Sequence, residues 1–584
     1  MPVPTTPKQL IRDGVRGFLG VNLRQQRLDL ADGDIARAIN ADLHQKPGIA
    51  VLRLGISTQF STSLGATIRR LAKHNGVRFQ VAGTVLYRNQ TSLITGLSVN
   101  LITTMQPFRH LNDTQEWVFV ADDAQMRKID ESGNDRQWGI TAPSSAPTIA
   151  AGSSTGLTGD YGARYSYARV VGSLVATESS LSPAPTAVTL SNQDLSITVV
   201  ASTDAQVTHI RIYRTATGGS SYLFDQQVSN ANGTNLSSQA DSALGAAGET
   251  DNDVPNNMSW VTEFQNHLFM CRDASNPHYL WWSKRFREEV PSGNYLEIGH
   301  PSDPLQGAFS LAGFLGVFSR LTKYRVVGNV TSGFVAQEAL SSRGTPAAQA
   351  AIVMPRGVVF PARDGIFLTN FLEPDTELSQ AIEPLFYEQT INDFAPIDWN
   401  NASRMAMADY KGRIYFSYPD TAGNQLVAVL SKETKRWYFF DYLTDFRALY
   451  VEEDVDDLVG GGSAGLVYVL EDADAIGDAG GSITMTARPP ARDGLLSGHR
   501  SVKKLFRYIV ADHFDAKSGS ITMQVYVDGT RIATKTLTGS RSKVLRLPDR
   551  LMGDEWYVDL SYTGTEQVVM PDVSVLFLPL ELSG

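Results

Sequence analysis

Apolar residues along this chain rarely recur at the three-to-four spacing of an amphipathic helix. They come in short runs or in alternation, punctuated by Gly, Asn, Asp and Pro. Alternation is the period of a strand, and those residues are the ones that close turns. Only 32–42 and 64–74 carry a helix-like spacing, and each predicts a helix of about three turns. Everywhere else a module recurs: an apolar strand, a tight turn, a second strand. Examples are 117–120 turning at Asp122-Asp123 into 126–129, 359–360 turning at Asp364-Gly365 into 366–368, and 405–409 turning at Lys411-Gly412 into 413–418. Others are 79–82 with 85–88, 264–272 with 279–283, 314–318 with 324–328, 426–430 with 437–440, and 458–459 with 466–470.

An isolated hairpin buries too little apolar surface to stand alone, so repeated hairpins must stack. Repeats spread over roughly 400 residues favour an irregular β-propeller over a barrel. Two regions depart from the module. Residues 143–257 open on Pro143-Ser144-Ser145-Ala146-Pro147, are rich in Ser, Thr, Ala and Gly, and contain alternating strands at 165–171, 187–190, 195–200 and 208–215. That is the size and pattern of an inserted fibronectin- or immunoglobulin-like β-sandwich. Residues 481–584 show strands again, with Asp528-Gly529 as a hairpin turn, and predict a C-terminal β-sandwich. The expected fold class is therefore all-β. Its order is an N-terminal segment with the first propeller blades (1–142), the inserted sandwich (143–257), the remaining blades (258–480) and the terminal sandwich (481–584). At 584 residues the chain is too long for one core.

Composition narrows the function. Hydrophobic residues make up 42% and charged residues 19%, an ordinary globular balance. The net charge of −10 argues against gripping nucleic acid, because such affinity comes from Lys and Arg on phosphates. The single cysteine, Cys271, excludes an internal disulfide and a cysteine-built zinc cluster, and its apolar run predicts a small buried hydrophobe. Residues 1–10 lack a signal-peptide pattern, and no run approaches the roughly 18 apolar residues that span a bilayer. A soluble protein assembled in a cytoplasm is expected.

The catalytic motifs are decoys. Gly461-Gly462-Ser463-Ala464-Gly465 spells the nucleophile elbow, but a strand-like run follows where a helix is needed, so a glycine-rich turn is expected. There is no phosphate-binding Gly-Lys-Ser/Thr loop and no close metal-ligand spacing of histidines, and His278 and His300 read as loop residues. The run Glu452-Glu453-Asp454-Val455-Asp456-Asp457 lacks the alternating ligands of a calcium loop and reads as a solvated acidic turn. No sialidase box occurs, since Ser132-Gly133-Asn134-Asp135 does not match one. No catalytic residue, cofactor or metal is expected. Charge is nevertheless uneven: 451–480 holds nine acidic residues and no Lys or Arg. Asp454, Asp456 and Asp457 are the candidate lining of an acidic channel, where like charge would keep DNA from sticking. The small basic clusters, Arg500, Lys503, Lys504 and Arg507 and those in 541–550, are candidate protein joints. The aromatic runs Trp281-Trp282 and 437–440 are expected in the core.

A series of short motifs then falls in a familiar order. Gly20-Val21-Asn22, Asp32-Gly33-Asp34, Ala38-Ile39-Asn40-Ala41-Asp42, Lys46-Pro47-Gly48 and Arg53-Leu54-Gly55 open the chain. Trp138-Gly139-Ile140 and Pro143 follow, then Phe264-Gln265-Asn266-His267-Leu268-Phe269, with His267 where Arg is usual. Trp282-Ser283, Pro291, Asp303-Pro304-Leu305, Arg363-Asp364-Gly365-Ile366, Arg413-Ile414-Tyr415 and Lys435-Arg436-Trp437 complete the series. Over 17–472 this order resembles the tail nozzle, or hub, proteins of short-tailed bacteriophages. The resemblance implies a propeller-based structural subunit of the virion tail, six copies in a ring, beneath a portal or head-to-tail adaptor. It further implies tail fibres or spikes on the flank and double-stranded DNA passing through without specific binding. The alternative from another class is a receptor- or carbohydrate-binding tail fibre protein; an enzyme such as a glycan depolymerase is the third.

Overall fold

The computed structural model describes residues 9–46, 48–99, 102–475, 477–494, 498–500 and 502–580. It is all-β, a chain of many small sheets joined by tight turns, with a few short 3-10 helices among the described residues. The chain divides into two compact units: 1–83, 346–370 and 375–584 form the first, and 84–345 with 371–374 the second.

In the first unit the hairpin module grows into four-stranded antiparallel meanders. One runs Ile352–Met354, Gly357–Ala362, Gly365–Thr369, Thr376–Glu377. Another runs Ala406–Tyr410, Arg413–Pro419, Gln425–Ser431, Trp437–Phe440, with every residue of its last three strands buried. A third, Phe446–Glu452, Asp457–Gly462 and Val467–Asp472, takes its fourth strand from the start of the chain, Gly55–Thr58. The start of the chain also serves the other end. Ile11–Val15 pairs with Asp572–Pro579, which leads through Lys504–Asp512 to Lys543–Gly553. Arg37–Ile39 bridges Trp437–Phe440 to Ile483–Arg488, and the same sheet continues through Trp556–Gly564 and Ile521–Val527 to Thr530–Leu537. The strands of 481–584 thus lie in sheets that also take strands from the first 40 residues. The turn at Asp528-Gly529 has φ of 46° and 77° and closes Val527 on Thr530, the mirror-image turn that right-twisted strands favour.

Neither anticipated helix forms. Over 32–42 the chain makes three short strands, Asp34–Ile35, Arg37–Ile39 and Ala41–Asp42, parted at Asn40, whose φ is 57°. Ile35, Ala38, Ile39 and Ala41 mimic a helical stripe because these strands are buried on both faces. In the second stretch Ile68–His74 is a strand paired with Val77–Ala82. A bulge between Ile68 and Arg70 slips the alternation by one, so Ile68 and Leu71 point inward at a spacing of three.

The second unit has meanders of the same kind: Thr104–Phe108 to Asp135–Gln137, Met258–Phe264 to Tyr295–Glu297, and Leu305–Leu311 to Gly333–Glu338. Between the first two in sequence lie the strands of 148–237. One sheet orders Leu174–Glu178, Ala163–Val171, His209–Arg214, Leu223–Ser229; another orders Thr148–Ala151, Leu195–Val199, Gly233–Ser237. Alternate residues of these strands, among them Tyr165, Tyr167, Leu195, Ile197, Ile210 and Ile212, form a core of their own.

Candidate functional site

The acidic run forms the turn between Phe446–Glu452 and Asp457–Gly462. Glu452 points inward, buried between Lys73 Nζ at 2.9 Å and Arg78. Asp454 lies on Lys73 at 2.7 Å, and that contact holds its carboxyl below the usual range. Asp456, at φ 54°, meets Lys411 at 3.3 Å, while its carbonyl accepts from Tyr410 Oη at 2.8 Å. Asp457 is half-buried at the start of its strand. The three candidate residues therefore share one hairpin, and two of them lean on lysines. The basic run around 500 does not form one surface. Lys504 is fully buried, donating to the carbonyls of Val502 and Asp554, while Arg500 pairs with Asp493 at 2.8 Å.

The decoys fold as the pattern demands. Gly461 and Gly462 end a strand, and Gly465 turns the chain into Val467–Asp472. Cys271 is buried in the strand His267–Asp273, and burial pushes its thiol up to about 12. His267 is buried with Nδ1 at 2.7 Å from the Ser283 carbonyl. His300 is exposed and bonds Ser302. Trp437, Tyr438, Phe439 and Phe440 are core, but Trp281 and Trp282 are only half-buried. Among the described residues no group of three or more His, Cys, Asp or Glu could hold a metal ion. No helix among them is long and apolar enough to cross a membrane.

Sequence reasoning missed two buried charge clusters. In the first unit, Arg53 donates to both carboxylate oxygens of Asp478 (2.8 and 2.6 Å), to Asn40 Oδ1 (2.8 Å) and to the Asp441 carbonyl (3.0 Å). Its plane lies 4.1 Å from the centre of the Tyr442 ring. Beside it Arg413 reaches Asp42 at 3.1 Å and Glu471 at 3.3 Å, and Tyr442 Oη donates to Glu471 at 3.2 Å. Burial pushes Glu471 up to about 7; Arg413 opposes this, and Asp42 adds to it. The Arg53–Asp478 and Arg413–Asp42 pairs join the first 55 residues to the chain after 410.

In the second unit, Lys128 Nζ sits 2.5 Å from Glu288, with both side chains fully buried. His110 lies between Glu288 (3.7 Å) and Asp113 (3.8 Å). Asp113 accepts from Arg169 of the strand Ala163–Val171 at 3.0 Å and from Trp117 Nε1 at 3.1 Å. Next in sequence, Glu289 accepts from Thr177 Oγ1 and from the Glu178 amide, both at 2.8 Å. Glu288 is held down to about 2: burial acts to raise it, but the Lys128 charge and His110 prevail. The only sequence signal for either cluster is a charged residue at an inward position of a strand, as Lys128 is two residues after Met126 in Gln125–Ile129.

No family model matches the chain, and no curated protein does. Among solved structures, the exo-β-1,3-galactanase of Phanerochaete chrysosporium is 7% identical with a TM-score of 0.22, covering 54% of this chain and 94% of that one. The Neurospora crassa Pan2 WD40 domain is 5% identical with a TM-score of 0.28, covering 73% and 97%. At these scores the likenesses carry no argument about what the chain does.

Proposed function

We propose that this chain is a structural protein of a short-tailed phage virion, the tail nozzle or hub, acting without catalysis. In this reading the four-stranded meanders are blades of an irregular β-propeller interrupted by the inserted sandwich, and six copies close a ring beneath the portal or adaptor. The ring extends the DNA channel, retains packaged DNA and offers its flank to fibres or spikes.

The observation that carries the reading is where the ordered motifs meet. Asn40 and Asp42 come from the third opening motif block, Arg53 from the last, and Arg413 from the Arg-Ile-Tyr motif. They bond within one buried cluster, Arg53 to Asn40 and Arg413 to Asp42. Short motifs far apart in the chain thus have a joint reason to occur in one order: they fasten the start of the chain to its late strands. A conduit under the pressure of packaged DNA needs that kind of closure more than it needs a reactive side chain.

Cryo-EM of the intact particle tests this. The reading expects the chain in a closed ring around the axial channel below the portal; density on a peripheral fibre would overturn it. One feature favours the second reading, a carbohydrate-binding tail protein. Tyr279 and Tyr295 stack with ring centres 4.5 Å apart, and Trp281 lies 5.2 Å from Tyr295, on the last two strands of one meander. Glu297 accepts from Tyr279 Oη beside them. Stacked rings next to a carboxylate suit a sugar, and glycan-array binding by the whole chain, lost in Tyr295→Ala, would support that reading.

A further inference from the structure

The first unit carries a cleft of about 770 Å³ whose charge is opposite to that of the molecule. Arg24, Arg356, Lys435 and Arg436 line it, over apolar walls that include Leu378 and Leu430. Arg24 is paired with Glu383 at 3.3 Å, and Arg436 with Asp34. Arg356 and Lys435 sit in exposed hairpin turns and have no ion-pair partner among the described residues. One carboxylate, Glu377, also faces the cleft. A chain with ten more acidic than basic residues has thus gathered four cations around one hollow of mixed polar and apolar lining.

The same unit presents the complement. In the acidic turn, Val455 is 52% exposed at the tip, flanked by the exposed side chains of Glu453, Asp454 and Asp456. The turn is held in shape by Lys73, by Lys411 and by the Tyr410 hydroxyl, so little order has to be gained on docking. Glu453 has no ion pair among the described residues. A tip ringed by carboxylates matches a hollow rimmed by cations, and Val455 at that tip can meet Leu368, Leu378 and Ala381 within it. Phosphodiester backbone would use the cations and leave the apolar walls unused. The turn does not line its own chain's cleft.

We infer that the acidic turn 453–456 of one copy docks in the Arg356–Lys435 cleft of the next, and that this is a subunit joint of the ring. The inference rests on the ring reading above. Two different patches meeting make a heterologous contact, the kind that closes into a ring when the rotation allows. Because charge steers the encounter, assembly weakens as salt rises.

The test uses the full chain and light scattering after size exclusion, at low and high salt. Arg356→Glu with Lys435→Glu disables the cleft; Glu453→Lys with Val455→Lys disables the turn. All four side chains are exposed, and matching thermal melts establish that each variant folds. Should a charge-reversed pair fail to fold, Arg356→Gln with Lys435→Gln and Glu453→Gln with Val455→Ser replace it. Wild type is expected to assemble beyond a dimer at low salt, and each variant alone to stay monomeric. An equimolar mixture is expected to stop at a one-to-one dimer, since one variant holds the only intact turn and the other the only intact cleft. Variants that assemble like wild type, a mixture that stays monomeric, or a wild type that never assembles would each overturn the joint. A ring seen in the particle together with variants that still assemble would sink the joint and leave the ring; an off-axis position in the particle would sink the ring itself.

Discussion

Glu288 and Glu471 are both buried glutamates, and the protein treats them oppositely. Glu288 is held down to about 2, well under its ordinary 4.5, whereas Glu471 is pushed up to about 7. Burial acts to raise both. The difference lies in the company each keeps. Glu288 has Lys128 at 2.5 Å and an imidazole at 3.7 Å, and the nearby carboxylate, Asp113, has Arg169 to itself. Glu471 shares Arg413 with Asp42, while Arg53 is committed to Asp478. One cluster is supplied with cations and the other is short of them. A buried charge is therefore not one thing energetically: in the second unit it is a satisfied pair at a domain joint, and in the first it is an acid close to neutrality.

The largest way to break this contrast is Lys128→Met. It leaves Glu288 buried without its main cation and should cost about 3–5 kcal/mol in denaturant unfolding. Adding Glu288→Leu should recover most of that loss, because an apolar pair needs no compensation.

The pH dependences should have opposite signs. Glu471, raised in the folded protein, contributes stability that is full below pH 4.5 and lost as pH climbs toward about 7. Glu471→Gln should therefore stabilise the protein at pH 8 by about 3 kcal/mol and have little effect at pH 4. Glu288, lowered in the folded protein, contributes stability that is full above pH 4.5 and lost as pH falls toward about 2. Glu288→Gln should accordingly lose its destabilising effect as acid unfolding is approached. Titration of the melting temperature of each variant against wild type checks both signs.

The smallest effect belongs to the surface. Asp456 and Lys411 are 70% and 54% exposed, and pairs of that kind contribute little. Asp456→Asn should leave the melting temperature unchanged. A drop comparable to that of Lys128→Met would mean that the acidic turn is part of the fold and not a surface feature.

Much of this was legible in the chain. Alternation located the hairpins, and Asp528-Gly529 located the turn between Ile521–Val527 and Thr530–Leu537. The strand after Gly465 exposed the false elbow. The misreadings have physical causes. A bulge at Ile68–Arg70 converts a period of two into an apparent three, and strands buried on both faces at 34–42 lose their alternation altogether. The acidic run was visible, but Lys73 and Lys411, which neutralise part of it, stand 379 and 45 residues from its nearest partners in sequence terms that no local pattern encodes.

By itself, then, the sequence determined what is local: strand, turn and breaker. Only the tertiary structure decided which distant pieces close on each other. Ile11–Val15 and Gly55–Thr58 gain partners from strands more than 400 residues away, and Asn40, Arg53 and Asp478 become one cluster only when those strands pair. The reason is that backbone propensity acts over a few residues, whereas the strength of a charge depends on everything that surrounds it after folding.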